Sequence, residues 1–216
     1  SFGSTGSKAA SIFVPVVNLG WYTIQAATYG HFVAQVFHMG QVGEGICMAV
    51  SAIVMGIFAM CGIGAITILG YIAIPAIVFL SIATAIRSLG VIGGMEALFA
   101  YVPSSDMPLF TGITAVIGTW VLSTATCIAD IMRYAKDTKA AVSATLTGLL
   151  GGNILMIVCG AIAAIAMQNS DLTVILLGFG LVIPSLILMT TNIFTTNASN
   201  LYSTSLNLSN AFHMDR

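Results

Sequence analysis

The stretch "LTVILLGFGLVIPSLILMTTNIFTTNASN", residues 172–200, admits two readings, and the choice decides the fold. By hydropathy alone the membrane span is 172–190, and the polar run "TTNIFTTNASN" (190–200) is a loop. Alternatively, "LTVILLGFG" opens a short outer helix over about 172–181, broken at Gly178, Gly180 and Pro184. The span is then about 183–206 and carries the polar run within the bilayer. The second reading is preferred because of what a helix does to this run. Asn192, Thr195, Thr196 and Ser199 fall at i, i+3, i+4 and i+7, which is one helix face. A row of neutral oxygens inside a membrane has two common uses. One is hydrogen bonding between helices, worth only ~0.6–2 kcal/mol per contact. The other is oxygen ligation of a hard monovalent cation such as Na⁺, which neutral ligands can hold and release.

The rest of the chain places this helix in a membrane. The 216 residues are 58% hydrophobic and 6% charged. A soluble domain carries about 25% charged residues. Six basic and seven acidic side chains cannot cover a water-facing surface of this size, so the chain is an all-α membrane protein. With a net charge of −1 it offers no basic footprint for nucleic acid. Six spans can be drawn within a single transmembrane domain, 1–216: about 11–34, 46–61, 64–86, 108–132, 140–167 and 183–206. The second and third share one apolar run too long for a single crossing, and "CGIGA" (61–65) is its natural hinge. Arg133, Lys136 and Lys139 form the densest positive cluster, and Lys8 precedes the first span. Both regions are expected in the cytoplasm. Six crossings then leave both ends cytoplasmic and put Glu44, Glu96, Asp106 and the basic Arg87 outside. The abrupt start at "SFGSTGSKAAS" and end at "NAFHMDR" suggest a piece of something longer.

Enzyme chemistry finds nothing to rest on: GxSxG, HExxH, P-loop and dinucleotide fingerprints are all missing from the sequence. Cys47, Cys61, Cys127 and Cys159 lie in apolar runs and read as small buried hydrophobes. His31 and His38, seven apart, make a poor metal pair. Three features remain. Asn18, Trp21 and Gln25 share a face of the first span, with Trp21 about ten residues from either end. They read either as a ring-stacking surface flanked by carboxamides or as an interfacial Trp with packed amides. Trp120 sits in "VIGTWVLSTATCIAD", a small-residue segment that could unwind midway and line a cavity. Asp130 and Arg133, at i and i+3, suggest a local ion pair or a cytoplasmic gate contact.

Four stretches carry a resemblance: "PVVNLGWYTIQ" (15–25), "ALFAYVP" (97–103), "STATCIADIMRYAKDTKAAV" (123–142) and "NIFTTNASNLYSTSLNLSN" (192–210). In order and spacing, along the whole chain, they resemble the nucleobase–cation symporter family, which includes bacterial cytosine permeases and hydantoin and allantoin transporters. The most specific pieces are Ala129-Asp130-x-x-Arg133-Tyr134 and Asn192-x-x-Thr195-Thr196-Asn197. The resemblance implies part of a leucine-transporter-type five-plus-five inverted repeat, covering helices 3 to 8, with the missing helix 1 supplying the other half of each site. It implies a Na⁺ site with a backbone carbonyl from Asn192 and hydroxyls from Thr195 and Thr196. It implies a base held between Trp21 and Trp120, with Gln25, Asn18 and Asn197 as polar contacts and Asn200 a further candidate. Hydantoin-type members carry a Gln four residues after the helix-3 Trp, which Gln25 matches. Cytosine permeases carry a Gln three residues before it, where this chain has Asn18, a shorter amide that leaves room for a larger purine or a hydantoin ring. The expected function is cation-coupled import of cytosine or a purine across the inner (plasma) membrane by alternating access, with Na⁺ as the coupling ion and H⁺ the alternative. Other expectations are a hydantoin or allantoin carrier, a same-fold carrier of another small substrate, or a non-transporting scaffold whose polar stripe only packs helices. No cofactor beyond the coupling ion is implied.

Overall fold

A computed structural model describes residues 3–103, 107–119 and 124–212. Among these residues every regular element is helical. In chain order they are α1 (Gly3–Val36), α2 (Gln41–Ala59), α3 (Gly62–Ile92), the short α4 (Met95–Phe99), α5 (Leu109–Thr119), α6 (Ala125–Met132) and α7 (Thr138–Leu146). A π-helical turn (Thr147–Gly152) leads into α8 (Asn153–Met167), followed by α9 (Leu172–Gly178) and α10 (Val182–Phe212). Three helical stretches among the described residues are both long and apolar enough to cross a membrane: Gln41–Ala59, Gly62–Ile92 and Thr138–Met167. Their apolar side chains are widely exposed, Ile53, Ile57, Ile68, Ile72 and Phe79 among them, as a lipid-facing surface requires. At 34 and 31 residues α1 and α10 have the length to span, but their polar side chains set them apart from the other three. Where the sequence suggests one span over about 108–132, the structure has α5 and α6, with residues 120–123 between them outside the described part.

The breaks between helices follow from backbone chemistry. Gly62 turns the chain between α2 and α3 with φ +77°, a left-handed conformation that glycine alone adopts without cost. Gly180, at φ +71°, does the same between α9 and α10, and Pro184 falls in the first turn of α10, where no intrahelical N–H is needed. Asp137 caps α7 by accepting a hydrogen bond from the Ala140 amide at 2.7 Å.

The chain groups into two compact units. Unit 1 comprises Ser1–Leu69, Pro108–Tyr134 and Ile193–Arg216; unit 2 comprises Gly70–Met107 and Ala135–Asn192. Unit 1 is built on two antiparallel pairings. α2 returns along α1: Tyr22 Oη hydrogen-bonds the Ala52 carbonyl, and His31 Nδ1 lies 2.7 Å from Glu44 Oε1. Between these, Gly30 lies so close to α2 that a Cβ would come within 2.3 Å of Met48 Cα. The last twenty residues of α10 also run antiparallel to α1. Tyr29 meets the Phe194 ring edge to face at 5.6 Å, Asn197 bonds at the level of Tyr22, and Asn210 Nδ2 donates to Ser11 Oγ at 2.8 Å. Ala59, Ile66, Ala198 and Tyr202 form the apolar core beside them.

Unit 2 packs mainly through small hydroxyls and apolar side chains. Ser81 Oγ donates to Met156 Sδ at 3.2 Å, which ties α3 to α8. The guanidinium of Arg87 sits over the Phe179 ring at 4.9 Å. That cation–π contact gives a partner to the basic residue that charge asymmetry alone leaves stranded.

Candidate functional site

The polar residues singled out on α1 and α10 meet inside unit 1. Asn18 and Asn197 are both 0% exposed, and Asn200 is 3% exposed. Trp21 and Gln25 are half-buried. Asn197 lies against α1 midway between Asn18 and Gln25: its Nδ2 donates to the Tyr22 carbonyl at 3.3 Å and approaches Met55 Sδ at 3.2 Å. Those two acceptors fix the orientation of the amide, so Asn197 Oδ1 faces the other way and has no hydrogen-bond partner among the described residues. Gln25 Oε1 and Asn200 Nδ2 are likewise buried without a partner. Leaving such groups unpaired costs ~1–3 kcal/mol each, which marks them as positions where a further polar group belongs.

Cys127 on α6 joins this cluster. It is buried, and its Sγ lies 3.3 Å from Asn18 Oδ1 and 3.9 Å from Asn200 Oδ1. Its place in an apolar run makes it look like a small hydrophobe in the sequence alone. The signal that could have found it is its place three residues before Asp130, on the same helix face.

Asp130 differs from expectation. Its Oδ2 accepts from Ser203 Oγ and, at 3.0 Å, from Asn207 Nδ2, both on α10. Arg133 turns instead to its neighbour Tyr134, with the guanidinium 5.0 Å from the ring centre. The carboxylate finds two donors on the adjoining helix, and the planar guanidinium stacks well on an aromatic face, so the i, i+3 pair on α6 does not form. Tyr134 also hydrogen-bonds Tyr202, adding a second link to α10.

The expected ion ligands all fall on the one helix α10. Asn192 is exposed and belongs to unit 2, while Thr195 and Thr196 are half-buried in unit 1. Each of the three takes part in an interaction, and the Thr195 carbonyl accepts from Ser199 Oγ at 2.9 Å. Trp120 lies outside the described residues. Further along α10, the buried Thr204 Oγ1 has no partner among the described residues and lines a cavity of ≈ 550 Å³ with Met60, Tyr202 and Leu208. Among the described residues no group of three or more His, Cys, Asp or Glu side chains is placed to hold a metal ion.

Helices long and apolar enough to cross a membrane, together with buried carboxamides that have unused polar atoms among the described residues, are the features of an α-helical membrane protein. The family described as "Permease for cytosine/purines, uracil, thiamine, allantoin" matches residues 1–215. The chain belongs to this permease family, whose members move substrates across membranes rather than transform them. Among curated proteins it is similar to cytosine permease from each of three Escherichia coli strains, at 30% identity over 210 residues. The match covers 97% of this chain and 49% of each relative, so the chain spans about half their length.

Proposed function

We propose that the protein is a secondary-active permease that imports a nucleobase, cytosine or a purine, by symport with a cation. The observation that carries this reading, beside the family match, is the set of buried amide atoms in unit 1 with no hydrogen-bond partner among the described residues: Gln25 Oε1 and Asn197 Oδ1 as acceptors, Asn200 Nδ2 as donor. A neutral ring bearing both N–H and carbonyl groups complements that set of uncharged donor and acceptor atoms. In this reading Trp21 and Trp120 stack on the two faces of the ring, and Asn18, Gln25 and Asn197 engage its edges. Na⁺ is the coupling ion, taken by the Asn192 carbonyl and the Thr195 and Thr196 hydroxyls, since uncharged oxygens suit a monovalent ion that must also leave. Transport follows alternating access in a leucine-transporter-type repeat. The ion drives it by binding more tightly to the state that accepts the base.

A hydantoin or allantoin ring is the second reading. It draws on Gln25, whose side-chain oxygen is buried and unused four residues after Trp21.

Thermal stability of the full-length protein against cytosine, purines, allantoin and hydantoins, each in Na⁺ or choline, tests both readings. A ligand that binds the folded state raises its stability by mass action. A base that stabilises only with Na⁺ is the expected outcome. Stabilisation by hydantoins alone selects the second reading. A flat panel from folded protein rejects both.

A further inference from the structure

The cavity beside Thr204 lies within unit 1, and none of the carboxamides of the candidate site lines it. It is a cleft of ≈ 550 Å³, open on one side, between the end of α2 and α10. Gly56, Ala59 and Met60 form one wall. Leu201, Thr204 and Leu208 form the other, at i, i+3 and i+7 on one face of α10. Ala59 and Tyr202 at its floor belong to the apolar core. α2 is apolar enough to cross a membrane, and Gly62 turns the chain directly after it. The cleft therefore sits where a spanning helix reaches the membrane face, at the depth of lipid ester carbonyls. Ile57 and Met60, at the same end of α2, are exposed beside it.

Thr204 gives the cleft an unused polar atom. It is 5% exposed, and its Oγ1 has no partner among the described residues. Thr67, Thr84 and Thr191 each donate to the carbonyl four residues earlier on their own helix; Thr204 does not. Of the neighbouring hydroxyls, Tyr202 Oη is engaged with Tyr134, and Ser205 Oγ donates to the Tyr202 carbonyl at 2.9 Å. No lining residue is charged. An occupant thus needs an apolar body to lie against Met60, Leu201 and Leu208, and a neutral acceptor for one hydroxyl.

We propose that this cleft binds a membrane phospholipid: one acyl chain fills it, and the ester carbonyl of that chain accepts a hydrogen bond from Thr204 Oγ1. An ester is neutral, as the uncharged walls require, and it is carried at the depth where the cleft lies. The bound chain bridges the end of α2 to α10.

The test uses the full-length protein, purified in detergent, stripped of lipid and titrated with dioleoyl phosphatidylglycerol or with its diether analogue, which lacks the ester carbonyls. The ester lipid is expected to raise the melting temperature saturably and to remain bound in native mass spectrometry. The diether analogue should bind about fivefold more weakly, the worth of one hydrogen bond. Thr204→Val keeps the volume and removes the hydroxyl. It should bind ester and diether lipids alike, with a lipid-free melting temperature unchanged or raised. Leu208→Trp fills the cleft and should lose the bound lipid without lowering the lipid-free melting temperature. Equal binding of the two lipids by the wild type overturns the proposal, and so does an ester preference that survives in Thr204→Val. A lipid-free melting temperature that falls in both variants means that another helix of the full-length protein fills the cleft, and also overturns it. If Leu208→Trp alone fails to fold, the ester preference of Thr204→Val decides. None of these readouts depends on uptake of a base, so this inference and the nucleobase reading fail separately.

Discussion

The two compact units bury polar side chains of different kinds, and the kinds behave differently. In unit 2 they are hydroxyls that bond to their own helix: Thr84 to the Leu80 carbonyl, Ser185 to Leu181 and Thr191 to Ile187, each at 2.7 Å. A hydroxyl four residues on reaches the carbonyl of its own helix and needs no neighbour. Two depart from this: Ser81 donates to Met156 Sδ on α8, and the buried Ser88 Oγ has no partner among the described residues. In unit 1 the buried polar groups include the carboxamides Asn18, Asn197 and Asn200. A carboxamide has two donor hydrogens and an acceptor oxygen on a short stem, and its own helix cannot satisfy all of them. Such groups depend on other helices or on a ligand. Polar burial alone therefore does not mark a binding region in a membrane protein, but polar burial that a helix cannot satisfy by itself does.

The largest expected effect within this comparison is structural. Gly30→Ala forces a Cβ into the Met48 backbone, which cannot move aside as a side chain could. Overpacking of this kind costs ~1–3 kcal/mol or more, and here it should separate α1 from α2. Folded yield and melting temperature should both drop steeply; normal values would show that the two helices are less closely apposed. Next comes Trp21→Ala, which should abolish uptake of an aromatic base while leaving the protein folded. Retained uptake would reject the ring-stacking role. Third, Thr196→Ala should weaken Na⁺ dependence of uptake more than Thr204→Ala, because Thr204 lies two turns beyond the proposed ion ligands. Equal effects would remove the ion site from α10. The smallest change belongs to unit 2. Thr84→Val keeps the volume and removes only a hydroxyl bonded to its own helix, so stability should move by no more than about 0.5 kcal/mol and uptake not at all. A large loss there would erase the distinction between the two units.

Some of this was legible in the sequence because its causes are local. Gly62 and Gly180 mark turns by a backbone conformation, and the helical spacing that puts Asn18, Trp21 and Gln25 on one face needs only a period of 3.6, whereas Asn197 is reached through the family resemblance. The polar run from Thr190 to Asn200 lies within α10, which helical periodicity could suggest and hydropathy could not. What stayed hidden depends on a second helix. Asp130 finds its donors on α10, seventy-three and seventy-seven residues along the chain, whereas spacing rules see only the Arg133 three residues away. Cys127 sits in an apolar run and looks like packing until Asn18 and Asn200 are brought to it. Among the described residues three helical stretches are apolar enough to cross a membrane; α1 and α10 have the length but more polar side chains, and the fourth segment is described as α5 and α6 on either side of residues 120–123.

The π-helical turn at Thr147–Gly152 bears on how this chain relates to its relatives. A π turn accommodates one residue more than the α-helix around it, and each α-helical residue rotates the chain by about 100°. Removing one residue within 147–152 would convert the turn to ordinary α-helix and leave the faces of α7 and α8 in register, because the π turn already absorbs the extra residue locally. A single-codon deletion here therefore leaves the flanking faces as they are, so a relative one residue shorter at this point would present the same surface from the same amino acids, whereas a deletion in the plain helix on either side would turn one segment by about 100°.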